Sequence, residues 1–376
     1  MKITEEILAY IKAHEKEAYE LLVTLAQIPA PSGHEEKRAA FCKEWLEAQG
    51  AKGVYIDEAL NVIYPIACEG DRPIAVFMAH SDVVFPDTEP LPLKAEDGKI
   101  FCPGIGDDTA NVAALLMAAK YLTEADLRPQ TGLLLVVNSG EEGLGNLKGS
   151  RKIVEDFGHR ICELVTFDGG AKSICNRAVG SKRYRVELRT EGGHSYGAFG
   201  NRNAIVYLAS LIETLYAVKV PPLGKTTYNV GVIEGGTSVN TIAEEAHMLY
   251  EFRSDERESL RFMEEHFYAA IALYRAKGVE VSVTLVGDRP CMGEVDKEKQ
   301  AALEGRGAEA VSRHYGFTPV FRAGSTDCNI PLSVGIPSIC VGCVLGAGAH
   351  TRGELVYTDS LLPGIATAFE LILHHV

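Results

Sequence analysis

The sequence predicts an α/β fold: a mainly parallel sheet flanked by helices, with a ferredoxin-like α+β unit inserted into it. Three observations lead there. Apolar strands alternate with helices up to about residue 176, as βαβ units do. The texture then changes to polar–apolar alternation. After Gly287 the first texture returns. A chain of 376 residues also exceeds the size at which one core usually splits. The expected domains are 1–176 with 288–376, and 177–287.

The elements follow in order. Residues 3–29 carry helical periodicity (Ile7, Leu8, Ile11, Tyr19, Leu22, Leu25), ended by Pro29 and Pro31. Ser32 with Glu35 reads as a capping box opening a helix to Gln49, closed by Gly50. Short strands are expected at 54–56 and 62–66. The apolar run 74–79 predicts a buried strand ending at His80. Residues 87–106, rich in Pro, Gly and charge, read as a loop. A helix at 111–122, a strand at 132–138, a helix at 147–157 and a strand at 164–167 complete the first part. In the insertion, 182–189 alternates as a half-exposed antiparallel strand does. Helix 204–218, strands 227–233 and 246–253, helix 256–276 and strand 279–286 then give the ferredoxin-like order. Helix 298–315, strand 336–341 and helix 360–374 follow.

Net charge is −14, which argues against nucleic acid or an anionic membrane as partner. No stretch approaches a transmembrane length. The first twenty residues are amphipathic and acidic, without the basic flank and apolar core of a secretory signal. Nine scattered cysteines, an odd number, suit reduced thiols in a cytoplasmic protein. Cys340 and Cys343 sit among apolar strand residues and read as core filling.

Chemistry-bearing residues gather where strands meet loops. His80 and Asp82 are two apart, so they lie side by side at a strand end, where sites form in open α/β sheets. Asp107 and Asp108 precede a helix in GIGDDTAN. Glu141 and Glu142 follow a buried strand in SGEEG. Asp168 ends the next strand, and His350 lies in GAGAHTRGE. Taken singly these are caps and turns, since acids favour helix N-termini. Together they make a set of imidazoles and carboxylates without thiolate, which suits zinc, with cobalt or manganese as substitutes. Paired metals about 3.5–4 Å apart need a bridging carboxylate, terminal ligands and a base for a shared water.

AHSDVVFP, GIGDDTAN, NSGEEG, FDGG, GGHS, GGTSVN, GSTDCNI and AHTRGE occur here in an order similar to that of the M20 metallopeptidase family. The last two motifs and Glu354 most resemble its peptidase T-like branch. The resemblance implies His80, Asp107, Glu142, Asp168 and His350 as ligands of two divalent ions, with Asp107 bridging. It implies Asp82 as the carboxylate orienting His80, Glu141 as general base toward a metal-bridging water, and His194 as the group polarising the scissile carbonyl, from the same or a partner subunit. Asn240 and Arg253 match positions holding the substrate's polar end. The insertion matches a lid and dimerisation domain, so a homodimer is implied. Two departures stand out: Thr109 replaces a common lysine beside the bridging motif, and Glu251 replaces an Asp before Arg253. The expected function is an aminopeptidase or tripeptidase-like exopeptidase. The alternatives are an N-acyl-amino-acid amidohydrolase of deacylase or desuccinylase type, and a non-catalytic protein on the same fold. The non-catalytic alternative is disfavoured because no expected ligand or base has been lost.

Overall fold

Two separate hydrophobic cores organise the chain in the computed structural model, which describes residues 3–376. One unit comprises the chain up to Ala178 together with Gly293–Val376, the other Val179–Met292.

The first unit is built on an eight-stranded sheet. Its order is Tyr55–Ile56, Val62–Ile66, Gly132–Asn138, Ile74–His80, Ile161–Thr166, Ser338–Val341, Ser173–Ala178, Val320–Gly324. The four central strands, Gly132–Asn138 to Ser338–Val341, are mutually parallel. Ile74–His80 and Gly132–Asn138 are buried along their whole length, as strands covered on both faces are. The helices Ala110–Glu124, Lys297–Tyr315 and Leu361–Ile372 supply much of the packing. Their register sets the site: His80 pairs with Asn138, so adjacent strands end level and release their loops on one edge.

Several local expectations are corrected. Residues 3–29 form two helices, Glu5–Ala13 and Glu15–Ala26, parted at His14. There the His14 ring nitrogen bonds the Tyr10 carbonyl at 2.8 Å. Ser32 and Glu35 form no capping box, because the Ser32 hydroxyl turns to Asp82 and Glu35 takes Gly33 N and Lys148 instead. Ser32 Oγ donates to Asp82 Oδ2 at 2.6 Å. Glu35 accepts from Gly33 N and from Lys148 Nζ at 2.8 Å. The region 87–106 is not all loop. Lys94–Glu96 and Lys99–Phe101 form a hairpin that joins Leu355–Tyr357 and Gly346–Ala347 in a four-stranded antiparallel sheet. Its turn is Asp97–Gly98, both residues at positive φ, the dipeptide that two-residue hairpins favour.

The second unit has strand order Thr226–Gly235, Glu245–Ser254, Gly180–Arg189, Glu280–Arg289, all antiparallel. Helices Ala204–Tyr216 and Arg257–Ala276 connect them in ferredoxin-like order. The alternation in Gly180–Arg189 puts Tyr184, Val186 and Leu188 into the core with Met248, Phe252 and Phe267. An extra two-stranded ribbon pairs Gly193–His194 with Thr241–Ile242.

Candidate metal centre

The first unit collects its acids and imidazoles at the carboxyl ends of its central strands. His80 is the last residue of its strand. Glu141 and Glu142 follow Gly132–Asn138, and Asp168 follows Ile161–Thr166. Asp107 lies in the turn before Ala110–Glu124, joined to Asp108 by a cis peptide. His350, at φ 63°, projects from the glycine-rich loop after Gly346–Ala347.

Asp107 stands between the two imidazoles. Its Oδ1 is 3.1 Å from His80 Nε2 and its Oδ2 is 3.1 Å from His350 Nε2. Asp168 Oδ1 lies 4.0 Å from His80 Nε2. Glu142 Oε1 lies 2.7 Å from His350 Nε2. Ligand atoms of His80, Asp107 and Asp168 therefore fall within 4.8 Å of one another, and so do those of Asp107, Glu142 and His350. Asp107 belongs to both triads. Glu141, buried like Glu142, groups with Glu142 and His80.

The electrostatics call for positive charge. Burial would lower the His80 imidazole, but Asp108, Asp107 and Asp82 outweigh it and hold it well above its ordinary value. Asp107 and Glu142 lift His350 to about 10. Burial and the neighbouring Asp107 push Asp168 up to about 7. No lysine or arginine pairs with Asp107, Glu142 or Asp168 among the described residues. Glu142 Oε1 is buried and makes no hydrogen bond of good geometry, although His350 Nε2 is only 2.7 Å away. The distance is that of an ion pair. Two imidazoles and hard carboxylates, crowded together with no lysine or arginine among the described residues paired to them, fit two divalent cations.

Asp82 does more than its spacing from His80 suggests. Its Oδ1 is 3.5 Å from His80 Nδ1, and its own carbonyl is 3.0 Å from the same nitrogen. It also accepts the backbone N–H groups of Glu141 and Glu142 at 3.0 and 2.9 Å. Burial opposes its charge, yet His80, Ser32 and the amide of Glu142 hold the carboxyl down at about 2. One residue thus meets both: its carbonyl bonds the His80 ring nitrogen, and its carboxylate holds the turn that carries the two glutamates.

Three groups support the centre through contacts that the sequence did not reveal, although Asp108 is noted there beside Asp107. Asp108 accepts the His80 N–H at 2.8 Å and Asn111 Nδ2 at 2.5 Å. Arg38, fully buried, donates to Ile28 O, Ser81 O and Thr109 Oγ1. Glu354 is noted in the sequence only as part of a motif. Its carboxylate accepts the amides of Gly104, Gly106 and Asp107. Apart from Asp108–Asn111 and Arg38–Ile28, these contacts span 28 residues or more, so no local pattern announces them.

In the second unit His194 is exposed, on the ribbon beside Asn240. Its Nδ1 accepts the N–H groups of Tyr196 and Gly197, both at 3.2 Å. Two donors on Nδ1 leave the ring proton on Nε2, which is then a hydrogen-bond donor. Asn240 O accepts Ser195 N at 3.0 Å, keeping His194 and Asn240 together. Arg253 lies elsewhere in the unit, near the far end of Glu245–Ser254. Its guanidinium pairs with Glu251, with both bonds at 3.0 Å.

An α/β sheet with a carboxylate–imidazole centre at its strand ends defines a metallohydrolase architecture. The chain belongs to peptidase family M20/M25/M40, whose profile matches residues 76–374. It is thus an enzyme, a hydrolase of the M20 type. YqjE of Bacillus subtilis, described as uncharacterized, is 26% identical over 93% of this chain and 95% of its own. Succinyl-diaminopimelate desuccinylase of Nitrosomonas eutropha is 26% identical over 49% of this chain; the match spans about half, 53%, of that relative. Among solved structures, a tripeptidase from Staphylococcus aureus superposes with TM-score 0.77 at 23% identity, covering 95% of this chain and 97% of that one. At that identity the likeness is one of fold.

Proposed function

We propose that the protein is a di-metal exopeptidase that cleaves short peptides, acting as an aminopeptidase or tripeptidase. The observation that carries this reading is Asp107 shared between two ligand triads, with Glu141 beside them. His80, Asp107 and Asp168 would hold one ion, and Asp107, Glu142 and His350 the other. When bound, the ions supply Lewis acidity that brings water toward ionisation near neutral pH. Zinc suits the donor set, with cobalt or manganese as substitutes.

The chain's own residues do the rest. Asp82 orients His80 and pins the turn that carries Glu141. Glu141 takes a proton from the attacking water and delivers it to the leaving amine. His194 donates from Nε2 to the scissile carbonyl oxygen. Asn240, beside His194, holds the polar end of the substrate, and Arg253, which lies elsewhere in the unit, would join it only from the other chain of the proposed dimer. Glu141→Ala is expected to keep metal content and lose turnover by roughly 10²–10⁴-fold. Metal analysis beside the assay checks this.

The second unit is proposed as lid and dimerisation domain. Ile205, Val206 and Tyr216 on its first helix are exposed, as are Val232 and Ile233 on the edge strand Thr226–Gly235. Such an apolar face with a free strand edge suits a second copy. A cytoplasmic location is supported by nine cysteines, none in a disulfide. No helix among the described residues is long and apolar enough to cross a membrane.

The second reading is N-acyl-amino-acid hydrolysis, favoured by the partial match to desuccinylases. Unblocked tripeptides and their N-acylated forms, offered to zinc-, cobalt- and manganese-loaded protein, separate the two. Chelator-sensitive release from the free-amine set alone supports the exopeptidase. Release from the acylated set alone supports the deacylase.

A further inference from the structure

The loop bearing His350 closes the pair of Gly346–Ala347 with Leu355–Tyr357, and within it Thr351 bonds the Gly348 carbonyl and Glu354 N the Thr351 carbonyl. GAGAHTRGE has three glycines, His350 itself sits at positive φ, and its side chain is about half exposed. The other candidate ligands, by contrast, are buried or half-buried at strand ends or in a tight turn. The bonds within the loop shape it without tying it to the turn that carries Asp107.

Glu354 supplies that tie. Four residues beyond His350, it is 2% exposed. Its Oε2 accepts Gly104 N at 2.8 Å, and its Oε1 accepts Gly106 N and Asp107 N at 2.8 and 2.9 Å. All three donors belong to the turn that carries Asp107. Its own backbone carbonyl accepts Cys102 N at 3.1 Å, one turn earlier. The chain leading to one ligand is thus gripped by the side chain that ends the loop of another. Gly106 shows how close the grip is: a Cβ there would lie 3.2 Å from Glu354 Oε1. At the loop's outer side, Arg352 makes a bidentate pair with Asp87 at 3.0 and 2.7 Å. That pair is solvent-exposed and contributes little by itself.

We propose that Glu354 is a positioning residue of the metal centre: it presets His350 against Asp107, and so governs affinity at the Asp107–Glu142–His350 site more than at the His80–Asp107–Asp168 site. Glu354 touches neither substrate nor ligand atoms; it acts through backbone amides. Groups that orient metal ligands typically carry 10–100-fold in affinity. The inference rests on the two-metal reading of the centre.

The test is a cobalt titration of metal-free wild type, Glu354→Gln and Gly106→Ala, followed by visible absorption and by bound-metal analysis. Gln keeps the size of Glu354 but replaces one acceptor oxygen with an NH₂ that opposes the amides. Gly106→Ala disturbs the same contact from the other side. Wild type is expected to bind two ions. Glu354→Gln should keep one ion at wild-type affinity and bind the second roughly 10–100-fold more weakly. Gly106→Ala should shift the same step in the same direction by less. Melting of the metal-free proteins separates this from general destabilisation, which would weaken both steps. If Glu354→Gln does not fold, Gly106→Ala decides. Two unchanged affinities, or an equal loss at both sites, would overturn the positioning role. A wild type that binds fewer than two ions would instead overturn the two-metal reading.

Discussion

Asp82 shows how much one buried carboxylate can organise. It meets His80, Ser32 and the amides of Glu141 and Glu142, and no lysine or arginine among the described residues is paired to it. Asp82→Asn would retain the shape and lose the charge, and its NH₂ would face amide donors. Metal affinity or turnover should fall by about 10–100-fold. Ser32→Ala removes one hydrogen bond and should cost about 1 kcal/mol of stability, with turnover little changed. Equilibrium unfolding and metal titration on both variants check the pair. The HxD spacing made the His80 contact legible in the sequence. The clamp on residues 141 and 142 was not, because it closes across 59 and 60 residues of chain.

At the scale of elements, periodicity identified most of what packs. The strands Ile74–His80 and Gly132–Asn138 and the helices of the second unit stand close to where apolar patterns put them. Strands with little apolar signal escaped. Val320–Gly324 is an exposed edge strand, and Lys94–Glu96 is exposed throughout. Only the Asp97–Gly98 turn marked the second of these. Close backbone approach is equally silent. Gly364, in Leu361–Ile372, leaves no room for a Cβ, which would collide with the Cys343 carbonyl. Gly364→Ala should therefore destabilise the first unit by about 1–3 kcal/mol. Denaturant unfolding would show it, while metal stoichiometry at low temperature stays at the wild-type value.

At the scale of the molecule, charge and assembly become measurable. Burial opposes the Glu163 carboxylate, but His375, 3.0 Å away, and Arg306 outweigh burial and hold it below its ordinary value of 4.5. A depressed carboxyl contributes stability that is present above pH 4.5 and is lost as pH falls through its folded value. Glu163→Gln should lower stability at pH 7 by about 1–3 kcal/mol and flatten the acid limb of the stability profile. If the proposed dimer forms with His194 acting across it, mixing Glu141→Ala with His194→Ala chains should restore part of the activity that each lacks alone. Activity no higher than that of the separate variants would place His194 in its own chain's site or outside catalysis. The measurement that bears most directly on the account is anomalous diffraction at the zinc edge from crystals grown with zinc. Two peaks are expected, one among His80, Asp107 and Asp168 and one among Asp107, Glu142 and His350. A single peak, or peaks away from Asp107, would contradict a shared two-metal centre.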